Sequence, residues 1–249
     1  MQTTTRTTDR GQLALIRHEG IVPGPYLDVK NIWTFGSGHT AEAGPPDPAQ
    51  MPRGMPADLE AGIREAFRLF RSDLAAYEAE VRRAVKVPLA PHEFDALVSF
   101  HYNTGGIAKA ALTRHLNAGD RQAAADAFLN WRRPASIIPR RESERDLFRH
   151  GRYPGGSIPV WSVDRNGRVD FSRPIRRLTE AEALAFMRPQ PAPPPAFGIP
   201  YWNGFVYLAG THAPRHGAPT NRVHPDAIRV RIRKQGGALH SDIRDALRI

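Results

Sequence analysis

Between Leu59 and Val85 apolar residues recur every three or four positions: Leu59, Ile63, Phe67, Phe70, Leu74, Tyr77, Val81 and Val85. That spacing follows one face of a helix and predicts a long amphipathic helix, with Asp58 as its N-cap. Residues 11–19 predict a shorter helix. Its apolar side is Leu13, Leu15 and Ile16, and Gly20 stops it. Over residues 24–40 the texture changes. Tyr26, Ile32, Trp33, Thr34 and Phe35 are strand formers, broken by Asp28–Asn31 and by glycines, which predicts a hairpin or a three-stranded sheet. The stretch VPLAPHEFDALVSFHYNTGG predicts a helix started by Pro91 and ended at Gly105–Gly106. Two further helices are expected at about 108–117 and 120–131.

Punctuation divides the remainder. Residues 41–57 hold five prolines and two glycines and predict a loop. Past Gly151, VWSVDRNGRVDFSRP predicts a hairpin turning at Asn166-Gly167. LTEAEALAFM predicts a short helix opened by Thr179 and Glu182. RPQPAPPPAFGIP is a stiff, Pro-rich linker. Ile228, Val230 and Ile232 alternate with Arg229, Arg231 and Arg233, as in a half-buried strand with a basic outer face. Three regions result: 1–151, an extension and linker over 152–197, and a small basic segment over 198–249.

The chain has 249 residues, 41% of them hydrophobic, enough for one sizeable core. It has no apolar run long enough to span a membrane and no apolar signal segment near its start, so neither a span nor a signal peptide is expected. It has no cysteine, which removes disulfides, thiolate nucleophiles and Cys-based zinc sites. The histidines show no metal-ligand spacing, so no metal and no cofactor is expected. The net charge of +10 is uneven: residues 1–150 hold 20 Lys/Arg against 18 Asp/Glu, and residues 151–249 hold 15 against 7. A basic C-terminal region favours anionic partners. Nucleic acid is not expected among them, because no recognition motif is present and no aromatic residues interleave the basic stretch.

The candidate chemistry lies in RHEGIVPGPYLDVKNIWTFGSGHT, residues 17–40, where Glu19 and Asp28 are nine apart and Thr34 follows six later. Glycoside hydrolysis by two carboxyls needs one that keeps its proton for the leaving oxygen and one that stays ionised. Glu19, beside apolar Ile16 and Ile21, suits the first role, and Asp28, in a polar turn beside Lys30 and Asn31, suits the second. A Thr34 hydroxyl on the neighbouring strand is placed to hold water. Spacing alone leaves the bland alternative open: an acidic helix end followed by a turn-rich hairpin.

The stretch resembles the phage-type lysozymes, glycoside hydrolase family 24. Their pattern is Glu-Gly, Tyr-x-Asp, then Thr-x-Gly-x-Gly-His, and it is matched without a gap by Glu19, Gly20, Tyr26, Asp28, Thr34, Gly36, Gly38 and His39. VPLAPHEFDALVSFHYNTG is similar to the family's central helix, and LNAGDRQAAADAFLNW with PRRESERDLF to its closing helices. The three blocks cover roughly residues 11–151 in family order.

The resemblance implies an α+β, mainly α fold of two lobes. A small β-lobe and a helical lobe are joined by a long helix, with a C-terminal extension added. It implies a muramidase that cuts the β-1,4 bond between N-acetylmuramic acid and N-acetylglucosamine in peptidoglycan, with inversion. Glu19 is then the general acid, and Asp28 and Thr34 position and activate the water. Asn103 is expected to contact substrate. His39 is expected to support the scaffold near Glu19. An Arg after Pro139 is expected to pair with the catalytic Glu, and ungapped counting selects Arg141 over Arg140. Gly36 and Gly38 are expected to allow close strand packing rather than to bind phosphate, and Trp131 to lie in the core.

Made in the host cytoplasm without a signal peptide, such an enzyme is expected to act in the periplasm or cell wall as an endolysin. One alternative is a virion-associated lysozyme docked through residues 152–249. The other is a catalytically silent cell-wall-binding protein, against which the intact Glu19, Asp28 and Thr34 set argues. Two departures from the pattern stand out: the long Pro-rich loop 41–57, expected beside the cleft mouth, and residues 152–249, which have no counterpart in the minimal enzyme.

Overall fold

The structure, a computed structural model, describes residues 6–188 and the strand residues 201–202, 205–207 and 229–231. The chain divides into two units, Met1–Arg188 and Pro189–Ile249. In the second, three short antiparallel strands are described, with Phe205–Tyr207 between Tyr201–Trp202 and Arg229–Arg231. The expected 228–233 strand is therefore seen at Arg229–Arg231. The faces of its side chains lie outside the described residues, as does the linker 189–200.

The first unit is mainly helical with small sheets, the α+β, mainly α class expected. Helix α1 is Asp9–Glu19. The Thr8 hydroxyl caps it by accepting from the Gly11 N–H, and Leu13, Ala14, Leu15 and Ile16 are buried. Strands β1 (Val22–Leu27), β2 (Trp33–Gly36) and β3 (His39–Thr40) form an antiparallel sheet in the order β1-β2-β3. The long helix α2 runs over Leu59–Ala84, with Asp58 capping it through the Ala61 N–H. Its predicted apolar face is the buried one, since Ile63, Phe67, Phe70, Leu74 and Val81 are each at most 2% exposed.

Helix α3 (Pro91–Thr104) lies at the centre of the helical lobe. Its Glu93 carboxylate accepts from the Ala90 N–H, and it ends at left-handed Gly105. Asp95 on α3 accepts from the Thr8 N–H and hydroxyl and from the Tyr153 hydroxyl, which ties the start of α1 to this helix. A Cβ at Gly11 would stand 2.2 Å from the Asp95 carboxyl carbon, so the approach requires glycine there. Helices α4 (Ala111–Asn117), α5 (Arg121–Asp126) and α6 (Ile138–His150) complete the lobe. The stretch expected as one helix to 131 changes to a 3₁₀ turn over Ala127–Asn130. Trp131, expected in the core, is partly buried and packs edge-on against Phe100 at the core's margin.

The segment after Gly151 is woven into this unit. Strands β4 (Ile158–Val160) and β7 (Arg176–Leu178) pair with each other, as do β5 (Ser162–Val163) and β6 (Val169–Asp170), the latter closing the predicted hairpin at Asn166-Gly167. Helix α7 (Glu180–Met187) opens with the predicted Thr179–Glu182 capping box. Ile21 donates to the Pro159 carbonyl and accepts from the Trp161 N–H, so β4 extends the chain leaving α1 as a parallel bridge. The hairpin tip reaches the sheet, where the Leu27 N–H donates to the Gly167 carbonyl at 2.8 Å. Phe186 stacks on Phe67 of α2 at 6.0 Å. Ile158, Val160, Leu178 and Ala183 are fully buried in the core cluster that also holds α1, α2 and α3 residues.

Candidate active site

Glu19 is the last residue of α1. Gly20 turns the chain out of the helix with φ +74°, and a Cβ there would meet Trp161 Nε1 at 2.6 Å. The Gly20 carbonyl accepts from the Ser37 hydroxyl at 2.7 Å, which ties the helix end to the far end of β2. Gly36 and Gly38 let β2 and the turn after it approach α2 and Tyr102 closely. A Cβ on Gly36 would press on Ala66 of α2 at 3.0 Å, and one on Gly38 on the Tyr102 hydroxyl at 2.9 Å. Both have positive φ.

Glu19 and Asp28 line one cleft of about 400 Å³, together with Lys30, Tyr26, Tyr77 and Tyr102. Asp28 lies in the turn after β1. Its Oδ1 accepts from the N–H groups of Lys30 and Ile32 at 2.8 and 2.9 Å. Both bonds fall on one oxygen, which leaves Oδ2 for water or substrate. Thr34 lies one layer back. It is 3% exposed, its hydroxyl donates to the Ile32 carbonyl at 3.0 Å, and it stands opposite Tyr26 across the β1–β2 ladder. Its most direct visible effect is therefore to hold the turn that carries Asp28.

The cation at Glu19 is Arg140, not Arg141. Arg140 Nη1 bonds Glu19 Oε1 at 2.6 Å, and Arg140 Nε bonds Glu144 Oε1 at 3.0 Å. Consecutive residues on α6 point about 100° apart, so Arg141 turns into the core instead. There it is fully buried, lies over the Phe100 ring, and bonds Glu144 and Asn103. Asn103 is exposed, but its side-chain oxygen accepts from Arg141, and it is not among the residues lining the cleft. His39 is buried and bonds Asp73 of α2 at 2.9 Å and the Pro46 carbonyl at 3.0 Å. These two bonds clamp β3 to α2 and to the Pro-rich loop. That loop lies over the sheet, with Arg53 above the Trp33 ring at 3.4 Å, and none of the cleft-lining residues comes from it.

Three site features escaped the sequence. The first is the choice of Arg140, which depends on helix phase. The second is the group of tyrosines: Tyr26 lies inside the motif but reads there as a strand former. Burial, with the charges of Glu19 and Asp28, pushes its phenol above the ordinary range, and burial does the same at Tyr102, whose hydroxyl donates to the Ser37 carbonyl. These phenols stay neutral donors facing the acids. The third is Phe171, which enters the cleft from the extension. Among the described residues no cluster of His, Asp and Glu fit to hold a metal ion is found.

Glu144 joins both arginines and the Ser99 hydroxyl while only 2% exposed. Glu144→Ala would leave the buried Arg141 guanidinium without its carboxylate and take one of two carboxylates from Arg140. It is expected to cost about 3–5 kcal/mol in urea unfolding. His18, next to Glu19, has its pKa pushed down to about 4 from 6.5, first by burial and then by Arg140, Arg141 and Arg17. The folded protein keeps it neutral where the unfolded chain takes up a proton. Stability from this group is whole above pH 6.5 and is lost as pH falls toward 4, a difference on the order of 3 kcal/mol. Thermal melts from pH 7 to 4 are expected to show this decline in wild type and a smaller one in His18→Gln.

The sequence and the fold are similar to those of known proteins. The family model described as Phage lysozyme matches residues 16–144. The endolysin of Salmonella phage P22 is 37% identical over 147 residues, covering 57% of this chain and 96% of that endolysin. The SAR-endolysin of Escherichia phage Mu is 37% identical over 120 residues, covering 47% and 63%. Among solved structures, the endolysin from Escherichia coli O157:H7 phage FAHEc1 aligns with a TM-score of 0.52 at 27% identity, covering 62% of this chain and 99% of that one.

Proposed function

The chain belongs to the phage lysozyme family and is a muramidase-type cell-wall hydrolase, and from that premise we propose that it cuts the β-1,4 bond between N-acetylmuramic acid and N-acetylglucosamine, with inversion, as an endolysin. The observation that carries this reading is the convergence of Glu19, from a helix end, and Asp28, from a strand turn, on one cleft.

Glu19 gives its proton to the glycosidic oxygen. Arg140 occupies Oε1, so transfer falls to Oε2. Asp28, ionised and held by two backbone N–H groups on Oδ1, takes the proton of the attacking water through Oδ2. Thr34 steadies that turn from the layer behind it, and so positions the water through Asp28. The bond from anomeric carbon to leaving oxygen breaks as the water oxygen bonds the opposite face, so the product is the inverted anomer. Neutral Tyr26 and Tyr102 border the acids without adding charge.

The test is product analysis on purified peptidoglycan. New reducing ends on N-acetylmuramic acid, first seen by NMR as the α-anomer, are expected. Reducing N-acetylglucosamine ends would overturn the choice of bond, and β-anomers the inversion.

The excess of 15 Lys/Arg over 7 Asp/Glu after residue 150 favours a second reading about delivery: docking to a virion through the C-terminal region. Co-purification with intact phage particles would support it. Among the described residues no helix is long and apolar enough to cross a membrane.

A further inference from the structure

One residue lining the cleft, Phe171, comes from chain outside residues 16–144, the part matched by the family model. Phe171 follows β6 at the exit of the 162–170 hairpin. It is 64% exposed, yet it lines the same cleft as Glu19 and Asp28. Its position is braced. The ring meets Trp161 edge to face, with centroids 5.4 Å apart and planes at 68°, and Trp161 itself stands against Gly20, the residue after Glu19. Trp161 is further fixed through its backbone N–H, which donates to the Ile21 carbonyl at 2.8 Å. A large aromatic ring held open to water inside an acid-lined cleft, on a rigid support, has the character of a binding platform. The surrounding polar groups, Lys30, Asp28 and the Tyr26 phenol, suit a ligand with one apolar face and a hydroxylated edge.

We propose that Phe171, braced by Trp161, is a substrate-binding residue that stacks on the C–H face of a pyranose ring of the glycan strand, a subsite supplied by the extension. The proposal rests on the reading that this cleft takes peptidoglycan. Phe171 takes no part in proton transfer; it holds a sugar beside the two acids. Its high exposure means that truncating the ring removes little core packing.

The test uses the full-length chain in a Glu19→Gln background. A tetrasaccharide of alternating N-acetylglucosamine and N-acetylmuramic acid is titrated by calorimetry against Phe171, Phe171→Ala and Phe171→Tyr proteins. Phe171→Ala is expected to weaken Kd roughly three- to ten-fold, the scale of one lost ring contact, and Phe171→Tyr to restore it. In the Glu19 enzyme the same substitution should raise KM more than it changes kcat. A Kd within two-fold of the parent for Phe171→Ala, or an equal loss in Phe171→Tyr, overturns the platform while leaving the muramidase reading intact. No binding in any of the proteins, together with no reducing ends from wild type, overturns both.

Discussion

Glu19→Gln is expected to slow peptidoglycan clearing by roughly 10²–10⁴-fold, the range lost with a general acid, while the protein stays folded. The amide keeps the shape and an oxygen acceptor for Arg140 Nη1 but has no proton to give. Arg140 retains its bond to Glu144 and its bond to the Ser99 carbonyl, so the substitution leaves no buried charge stranded. Turbidity assays paired with thermal melts separate the two effects. Equal clearing by wild type and Glu19→Gln would sink the proposed mechanism. A matched loss of melting temperature and activity would assign Glu19 a structural role instead. Asp28→Asn provides the complementary test, since it keeps an acceptor for Lys30 and Ile32 but removes the charge that accepts the water's proton.

The second large effect is on stability. A chain ending at Gly151 is expected to lose its cooperative melting transition, while one ending at Arg188 melts like the full-length protein. The shorter chain lacks Ile158, Val160, Leu178, Ala183, Phe186 and Met187, all in the core cluster, and leaves Phe67 without its stacking partner. Phe186 alone corresponds to about 3–5 kcal/mol by the usual cost of Phe→Ala in a core. That is a large share of the stability of an ordinary domain. Ile21 would also lose both backbone partners at the point where Glu19 is presented. Calorimetry on the two truncations decides the matter: a sharp transition for residues 1–151 within a few degrees of the longer chain would show that the extension is dispensable.

The sequence made the local elements of the catalytic region legible for a physical reason. The period of α2, the glycine stops of α1 and α3 and the Asn166-Gly167 turn are short-range signals that tertiary packing reinforced. The pairing of Glu19 with an arginine was legible too, but not which one. Counting along the chain does not reveal helix phase, and at α6 a step of one residue separates a side chain bonded to Glu19 from one packed over Phe100. The partner of His39, Asp73, lies 34 residues away on another element, where no local signal reaches. Phe171 carried no local signal at all. An exposed Phe in a turn reads as incidental until the hairpin is folded back onto β1.

That return of the chain bears on motion as well as on packing. The polypeptide passes between the helical lobe and the β-lobe at the end of α1 and again through α2. It comes back along the extension, where the Gly167 carbonyl holds Leu27 at one end and Arg71 of α2 holds the Met187 carbonyl at the other. With a single connecting helix, two lobes open by bending it. With a further tether closing the ring, opening must also stretch or release the tether. Any bending of α2 that parts the lobes thus also strains or breaks the contacts this segment makes with Leu27 and with Arg71.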